Sequence, residues 1–552
     1  MIRCYPRPMS WRGNCNAETR VMILFEIVIV LLLVGAVLAL CADRIGVPYP
    51  ALLALAGTGV ALIPGAPSVN LDPELALALF VAPVLLDAAF DASPRDLRDN
   101  IVPVSLLAVV VVILTIGAVA YAAKLVVPEM SWFVAITLGA IVAPPDASAA
   151  TAVLRKLRPP HRVVVILEGE SLFNDATALI IYRVAVGAVV TGAFSGWGVV
   201  PTLLLSCGGG VIVGFILARF YLWLAKKVQD IQVSIVIQFI GTFAVWLIAD
   251  RLGLSAIITV VAFAMTLSRH APGSTGARHR ISSYAVWELA VFVLNVLAFV
   301  LIGLQLRGIL SRVDSAELNT YLFCAAAVCG AVILVRFVWM PYNWFVRWHI
   351  RRYGARLPRL MSLPTVGTGL LISWCGMRGI VTLAAALALP DGDPASAFPH
   401  RDLIVFCAFC VVLSTLAIQG ATLRPLLKIL GLRDDGSVER ELAIARVETA
   451  RAAIRELESR TTSRSVEILR REYQARMHSG SPEKDDLANL QQHAALAQRR
   501  ALVELRARSV IGDDAFHAAE QEIDLLELTA DARIRPLVEG DVLATREPQR
   551  PS

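Results

Sequence analysis

The sequence predicts an all-α, polytopic membrane protein, and three observations carry that prediction. The 552 residues are 57% hydrophobic and only 17% charged, with a mean hydropathy of +0.65, too apolar for a soluble protein of this size. Apolar runs near the bilayer-crossing length of about 20 residues recur until about residue 430. Lys and Arg collect in every second loop between those runs, the asymmetry that sets membrane orientation.

Residues 1–21 form a polar N-terminal extension carrying Arg3, Arg7, Arg12 and Arg20. Met22 opens the first apolar run, with no small-residue cleavage site after it, and whether translation starts at Met1 or at Met22 stays open. The run-length rule gives about thirteen spans: 22–41, 48–65, 73–91, 101–123, 131–154, 163–191, 198–223, 230–250, 253–269, 286–306, 318–340, 363–389 and 402–427. The loops holding Arg95 and Arg98, then Arg155, Lys156, Arg158 and Arg162, then Lys226 and Lys227, then Arg278 and Arg280, and the stretch Arg347 to Arg359, read as cytoplasmic. That puts the N-terminus outside and the C-terminus inside. The transmembrane domain is expected over 22–431. From 432 to 552 the chain turns charged and helix-forming, a cytoplasmic helical tail.

Several function classes fall away at this level. A net charge of +6 is accounted for by basic loops, so no nucleic-acid partner is expected. Nine cysteines lie mostly inside apolar runs without repeating spacing, which argues against a disulfide framework. No histidine falls mid-span, which argues against an intramembrane zinc or haem site, and no cofactor is expected. Gly169-Glu170-Ser171 resembles half of a nucleophile elbow, but Phe173 stands where the second Gly belongs. The chain is therefore not expected to be an enzyme, and no filter ring marks a channel.

What remains is a set of polar groups at bilayer depth, where ionisable residues are costly and mark function. Asp175 lies about twelve residues, roughly 18 Å, into the sixth span. Ser171 is one turn before it and Glu168 one turn earlier, while Glu170 and Asn174 form a neighbouring stripe. Asp146 is similarly deep in the fifth span, where Pro144-Pro145 removes two backbone donors and must break the helix. Asp146 reads as an ion ligand or as a cap on that break. In the twelfth span Arg378 sits between Gly376 and Gly379 and needs an anion, with Glu170, Glu168 and the two aspartates as candidates. Asp87 of the third span lines an access funnel with Glu168 or simply bonds a neighbouring helix. Asp91 and Arg336 lie near span ends and can snorkel. Irregular spans at equivalent places in two halves are the mark of a transporter built from inverted repeats. Oxygen ligands suit a hard cation such as Na⁺, and a partly dry carboxylate lets protons compete with it.

At these residues the sequence resembles the sodium/proton exchangers of the monovalent cation:proton antiporter-1 family. The motifs are Pro-Pro-Asp-Ala at 144–147, Glu-Gly-Glu-Ser-Leu-Phe-Asn-Asp at 168–175, Leu-Ile-Gly-Leu-Gln-Leu at 301–306 and Gly-Met-Arg-Gly at 376–379. Relatives often carry Thr-Asp-Pro where this chain has Pro145-Asp146-Ala147. The resemblance implies a homodimer in the cell membrane. In it, a core of spans four to six and eleven to thirteen moves against a dimerisation domain, and unwound fifth and twelfth spans cross at the site. Asp175 would bind Na⁺ or H⁺ beside Asn174, with Asp146 and Ser171 completing the site and Glu170 paired to Arg378. One titrating aspartate, with Asn174 fixing the ionisation of Asp146 by hydrogen bonding, predicts one-for-one electroneutral exchange. K⁺/H⁺ exchange, or electrogenic exchange with Asp146 as a second proton carrier, are the alternatives.

Overall fold

The computed structural model describes residues 29–436, except 43, 46, 64–72, 158, 192–195, 229, 271–276, 313–316, 354–364 and 392–397, together with isolated positions between 440 and 525. The N-terminal extension and nearly all of the expected tail lie outside the described residues. The chain divides into two compact units, Met1–Asp435 and Gly436–Ser552. All thirteen expected spans belong to the first.

The regular elements among the described residues are all helical, as the length and periodicity of the apolar runs require. Every one of the thirteen expected segments holds helix. Among the described residues, seven helices are long and apolar enough to cross a membrane alone: Ile101–Val126, His161–Thr191, Leu205–Ala225, Ile231–Arg251, Arg280–Leu310, Leu318–Trp348 and Arg401–Leu430. Shorter apolar helices occupy Ile29–Ala42, Tyr49–Ala61, Trp132–Val142 and Ala256–His270. Leu205, Phe323, Leu334 and Ile429 are among the exposed apolar side chains, the outer surface a bilayer demands.

Small residues set the closest approaches. A Cβ on Gly57 would strike the Val300 carbonyl and one on Gly303 the Ala54 carbonyl, so the second and tenth spans pack backbone to backbone. The third span relaxes through a π-helical turn at Leu77–Val81, just before Pro83, and the fourth carries a second π-helical turn at Leu106–Val111. Before Pro83 the widened turn absorbs the ring's clash with the Leu79 carbonyl, four residues back.

The fifth span stops at Val142 and resumes at Ala147, so Pro144-Pro145 breaks it where expected. The twelfth stops at Trp374 and resumes at Ile380. The two unwound stretches touch: the Asp146 amide donates to the Met377 carbonyl at 2.7 Å. The eleventh span does not end near 340. A turn at Phe337-Val338 reorients it, and helix continues over Trp339–Tyr353. Arg336 is therefore interior to the span rather than at its end.

Candidate functional site

Broken helices expose carbonyls that have no partner within the helix. The carbonyls ending Trp132–Val142 accept from Arg378: Nε reaches Val142 O at 3.0 Å and Nη2 reaches Ala143 O at 3.1 Å. Nη1 bonds the carbonyl of Gly376, and the Arg378 amide donates to Thr415 Oγ1 at 3.1 Å. At the end of Val366–Trp374 a second arginine does the same work. Arg336 donates to the carbonyls of Ile372, Ser373 and Cys375 at 2.9, 3.3 and 3.2 Å.

Glu170 pairs with Arg336, not with Arg378. The contact is two-pronged, Nη1 to Oε1 at 2.7 Å and Nη2 to Oε2 at 3.1 Å, and each side chain is 2% exposed. The expected Glu170–Arg378 pair is thus corrected. Helix-end carbonyls, which carry a partial negative charge, take the place of an anion at Arg378. Arg336 does not snorkel, because its helix runs on past it. The sequence offers no signal for this partner, which lies 166 residues away.

Asn174 is fully buried and donates through Nδ2 to the Pro145 carbonyl at 2.7 Å. It ties the sixth span to the break in the fifth. The amide goes to that carbonyl rather than to the Asp146 carboxylate, so Asn174 does not fix Asp146 as expected. Its Oδ1 is buried without a hydrogen-bond partner, and Asn174 itself is off the cavity lining that its neighbour Asp175 joins.

A cavity of about 590 Å³ reaches this crossing. Asp175, Asp146, Ser171, Glu168 and Asp87 all line it, so the structure brings these five sequence candidates onto one surface. Asp91 and Glu288 join them, with Tyr49 and Asn295. No Lys, Arg or His is among its described lining residues. Asp175 itself is only 9% exposed. A Cβ on Gly379 would fall on the Asp146 carboxylate, so that glycine is what allows the twelfth span to approach. Six carboxylates without a basic residue on a low-dielectric wall concentrate cations and repel anions. Sequence reasoning misses Glu288, because the apolar run begins only at 286 and leaves this acid at a span edge. The helix begins at Ala277, which places Glu288 well inside it.

Outside the spans, Asp96 is drawn two ways. Burial pushes its carboxyl up, but hydrogen bonds from Arg95, His161 and Ser93 outweigh this and hold it below the usual range. On the Arg312 side, the guanidinium 2.9 Å from Asp391 holds that carboxyl low as well.

The sequence profile of the transmembrane sodium/hydrogen exchangers matches residues 28–429. An uncharacterised Na(+)/H(+) exchanger of Mycobacterium tuberculosis is 30% identical over 535 residues, 92% of this chain and 96% of its own. A sodium, potassium, lithium and rubidium/H(+) antiporter of Bacillus subtilis is 32% identical over 417 residues, 73% of this chain and 61% of its own. The sodium proton antiporter MjNhaP1 from Methanocaldococcus jannaschii superimposes with a TM-score of 0.59 over 74% of this chain and 98% of its own, at 20% identity. That likeness establishes the shared fold.

Proposed function

Because the chain belongs to the transmembrane sodium/hydrogen exchanger family, a family of membrane cation/proton exchangers, we propose that it exchanges Na⁺ for H⁺ at Asp175 by alternating access. The observation that carries this reading is the acidic cavity without a basic residue on its described lining, which leads to Asp175 and Asp146 where two broken helices cross. Asp175 binds either a cation or a proton, and mutual exclusion couples the two fluxes. Asp146, Ser171 and the unpartnered Asn174 oxygen supply further oxygen ligands of the kind a hard monovalent ion takes. Asp87 and Glu168 form the access funnel, extended by Asp91 and Glu288. The protein works as a homodimer in the cell membrane, with residues 432–552 as a cytoplasmic tail. Exchange is one-for-one and electroneutral.

Two features favour variants of this reading. The Bacillus subtilis relative is named for four alkali cations, which supports a broader selectivity that includes K⁺. The Asn174 amide donates to the Pro145 carbonyl and not to Asp146, which supports the variant with Asp146 as a second proton carrier. The deciding experiment uses purified protein in liposomes with an internal pH dye and a series of alkali chlorides. Cation-dependent alkalinisation ordered by ion supports the assignment and ranks the substrates. Absence of a response to every alkali ion would overturn it.

A further inference from the structure

We propose that a second cavity, remote from Asp175, binds a phosphate-type oxyanion, presented as free phosphate or as a lipid headgroup. It measures about 260 Å³ and shares no lining residue with the acidic cavity. Its wall is mostly apolar, from Pro103, Val163, Val346 and Ile372, with a few polar groups: Arg162, Trp339, Tyr342, Asn343 and Asp435 among them. That composition is typical of a small-ligand site.

Two of those polar groups are unsatisfied. Trp339 Nε1 and Asn343 Nδ2 are buried without a hydrogen-bond partner, in residues 3% and 5% exposed. A buried orphan donor costs roughly 1–3 kcal/mol, and both of these ask for an acceptor. Arg162 adds a guanidinium on the same wall, its Nε held by Asn100 Oδ1 at 2.8 Å. Asp435 is the one acid on the described lining. Arg162 balances it within the lining. What the wall has in excess is hydrogen-bond donors, Trp339 Nε1, Asn343 Nδ2 and the Arg162 guanidinium, a set that suits an oxyanion.

The helix Trp339–Tyr353 explains how a lipid reaches it. Trp339, Tyr342, Asn343 and Val346 line the cavity, while Trp344, Phe345 and Trp348 are exposed. An aromatic outer face beside arginines is the signature of a helix at headgroup level. The cavity also joins the start of the sixth span to the eleventh and twelfth, so an occupant would brace the two repeats against each other. None of this depends on the antiport assignment.

The test is calorimetric titration of the full-length purified protein with sodium phosphate and, separately, with dihexanoyl phosphatidylglycerol. Sodium chloride at matched ionic strength and dihexanoylglycerol serve as controls. Asn343→Asp, which turns a donor into an anion of the same shape, is expected to weaken binding at least tenfold. Trp339→Phe, which keeps an aromatic ring and removes Nε1–H, is expected to weaken it several-fold. Binding of phosphate assigns a soluble anion, and binding of phosphatidylglycerol alone assigns the headgroup. Saturable binding of neither, or equal binding by wild type and both variants, overturns the proposal.

Discussion

Removing either partner of the Glu170–Arg336 pair should damage the protein unequally. Breaking a buried pair typically costs about 3–5 kcal/mol, because the survivor is left charged in a dry environment. The survivors here differ. Arg336 without Glu170 keeps three carbonyl acceptors, at Ile372, Ser373 and Cys375. Charged hydrogen bonds of that kind contribute about 1.5–3 kcal/mol each, so Glu170→Gln should fall at or below the lower end of the range. Glu170 without Arg336 has lost both of its described hydrogen bonds, and the half-helix Val366–Trp374 has lost its cap. Arg336→Gln should reach the upper end. The difference of about 1–2 kcal/mol is a factor of roughly 5–30 in an equilibrium constant. Unfolding of a membrane protein is commonly irreversible, so the readout is the half-life of monodisperse protein on heating. The cycle is completed by the double variant and by the parallel Glu170/Arg378 cycle. Coupling of at least about 1 kcal/mol between 170 and 336, and less between 170 and 378, is expected. Additivity at 170/336 with coupling at 170/378 would refute the assignment.

Four further outcomes rest on the same geometry. Asp175→Asn should leave a folded protein with no cation-driven proton movement in liposomes, and exchange at near wild-type rate would sink the proposed site. Gly379→Ala pushes a methyl into the Asp146 carboxylate at a cost of about 1–3 kcal/mol, so the cation concentration for half-maximal exchange should rise about tenfold or more; an unchanged value would place Asp146 outside the ion path. Asp96 is held below its usual range, so its contribution is fully present above the unfolded-state pKa and is lost as pH falls through the lower folded value; Asp96→Asn should lower the melting temperature at neutral pH, leave the acid end nearly unchanged and so flatten the acid limb of the profile. At fixed pH difference, the Na⁺ gradient that nulls proton movement should not shift with imposed voltage, because a net charge would feel about 2.3 kcal/mol per 100 mV; a shift would implicate Asp146 as a second carrier.

Local chemistry is legible in the sequence and long-range partnership is not. Pro144-Pro145 announces its break because a missing donor is a property of the residue itself. Gly376 and Gly379 mark the second break for a similar reason, and the depth of Asp175 comes from counting along an apolar run. Glu170 also announces that it needs a cation, but two arginines could answer. The choice depends on how the eleventh span turns at Phe337-Val338, which a hydropathy count reads as an ending. Glu288 is hidden in the same way, since a helix extended beyond its apolar window turns a boundary acid into an interior one. Asp91 gives no local signal that it faces the cavity, because which side of a helix faces the bundle depends on its neighbours.

The two arginines share one logic. Each broken span ends its first half with bare carbonyls in the membrane, and each end is capped by a guanidinium: Trp132–Val142 by Arg378, Val366–Trp374 by Arg336. An uncapped end would place a partial negative charge and unpaired carbonyls at bilayer depth. Capping by side chains that line the cavity would instead put fixed positive charge beside Asp175 and compete with the transported ion. Both arginines are fully buried away from the cavity wall. One carboxylate, Glu170, is spent on holding Arg336, and Arg378 is held by carbonyls. The second halves of the broken spans start at Ala147 and Ile380, just after Asp146 and Gly379. Helix starts favour negative charge nearby, which lets the Asp146 carboxylate approach Gly379 closely. In the proposed site the two fixed cations are thus consumed by the breaks themselves and stay off the cavity wall, where the carboxylates lie.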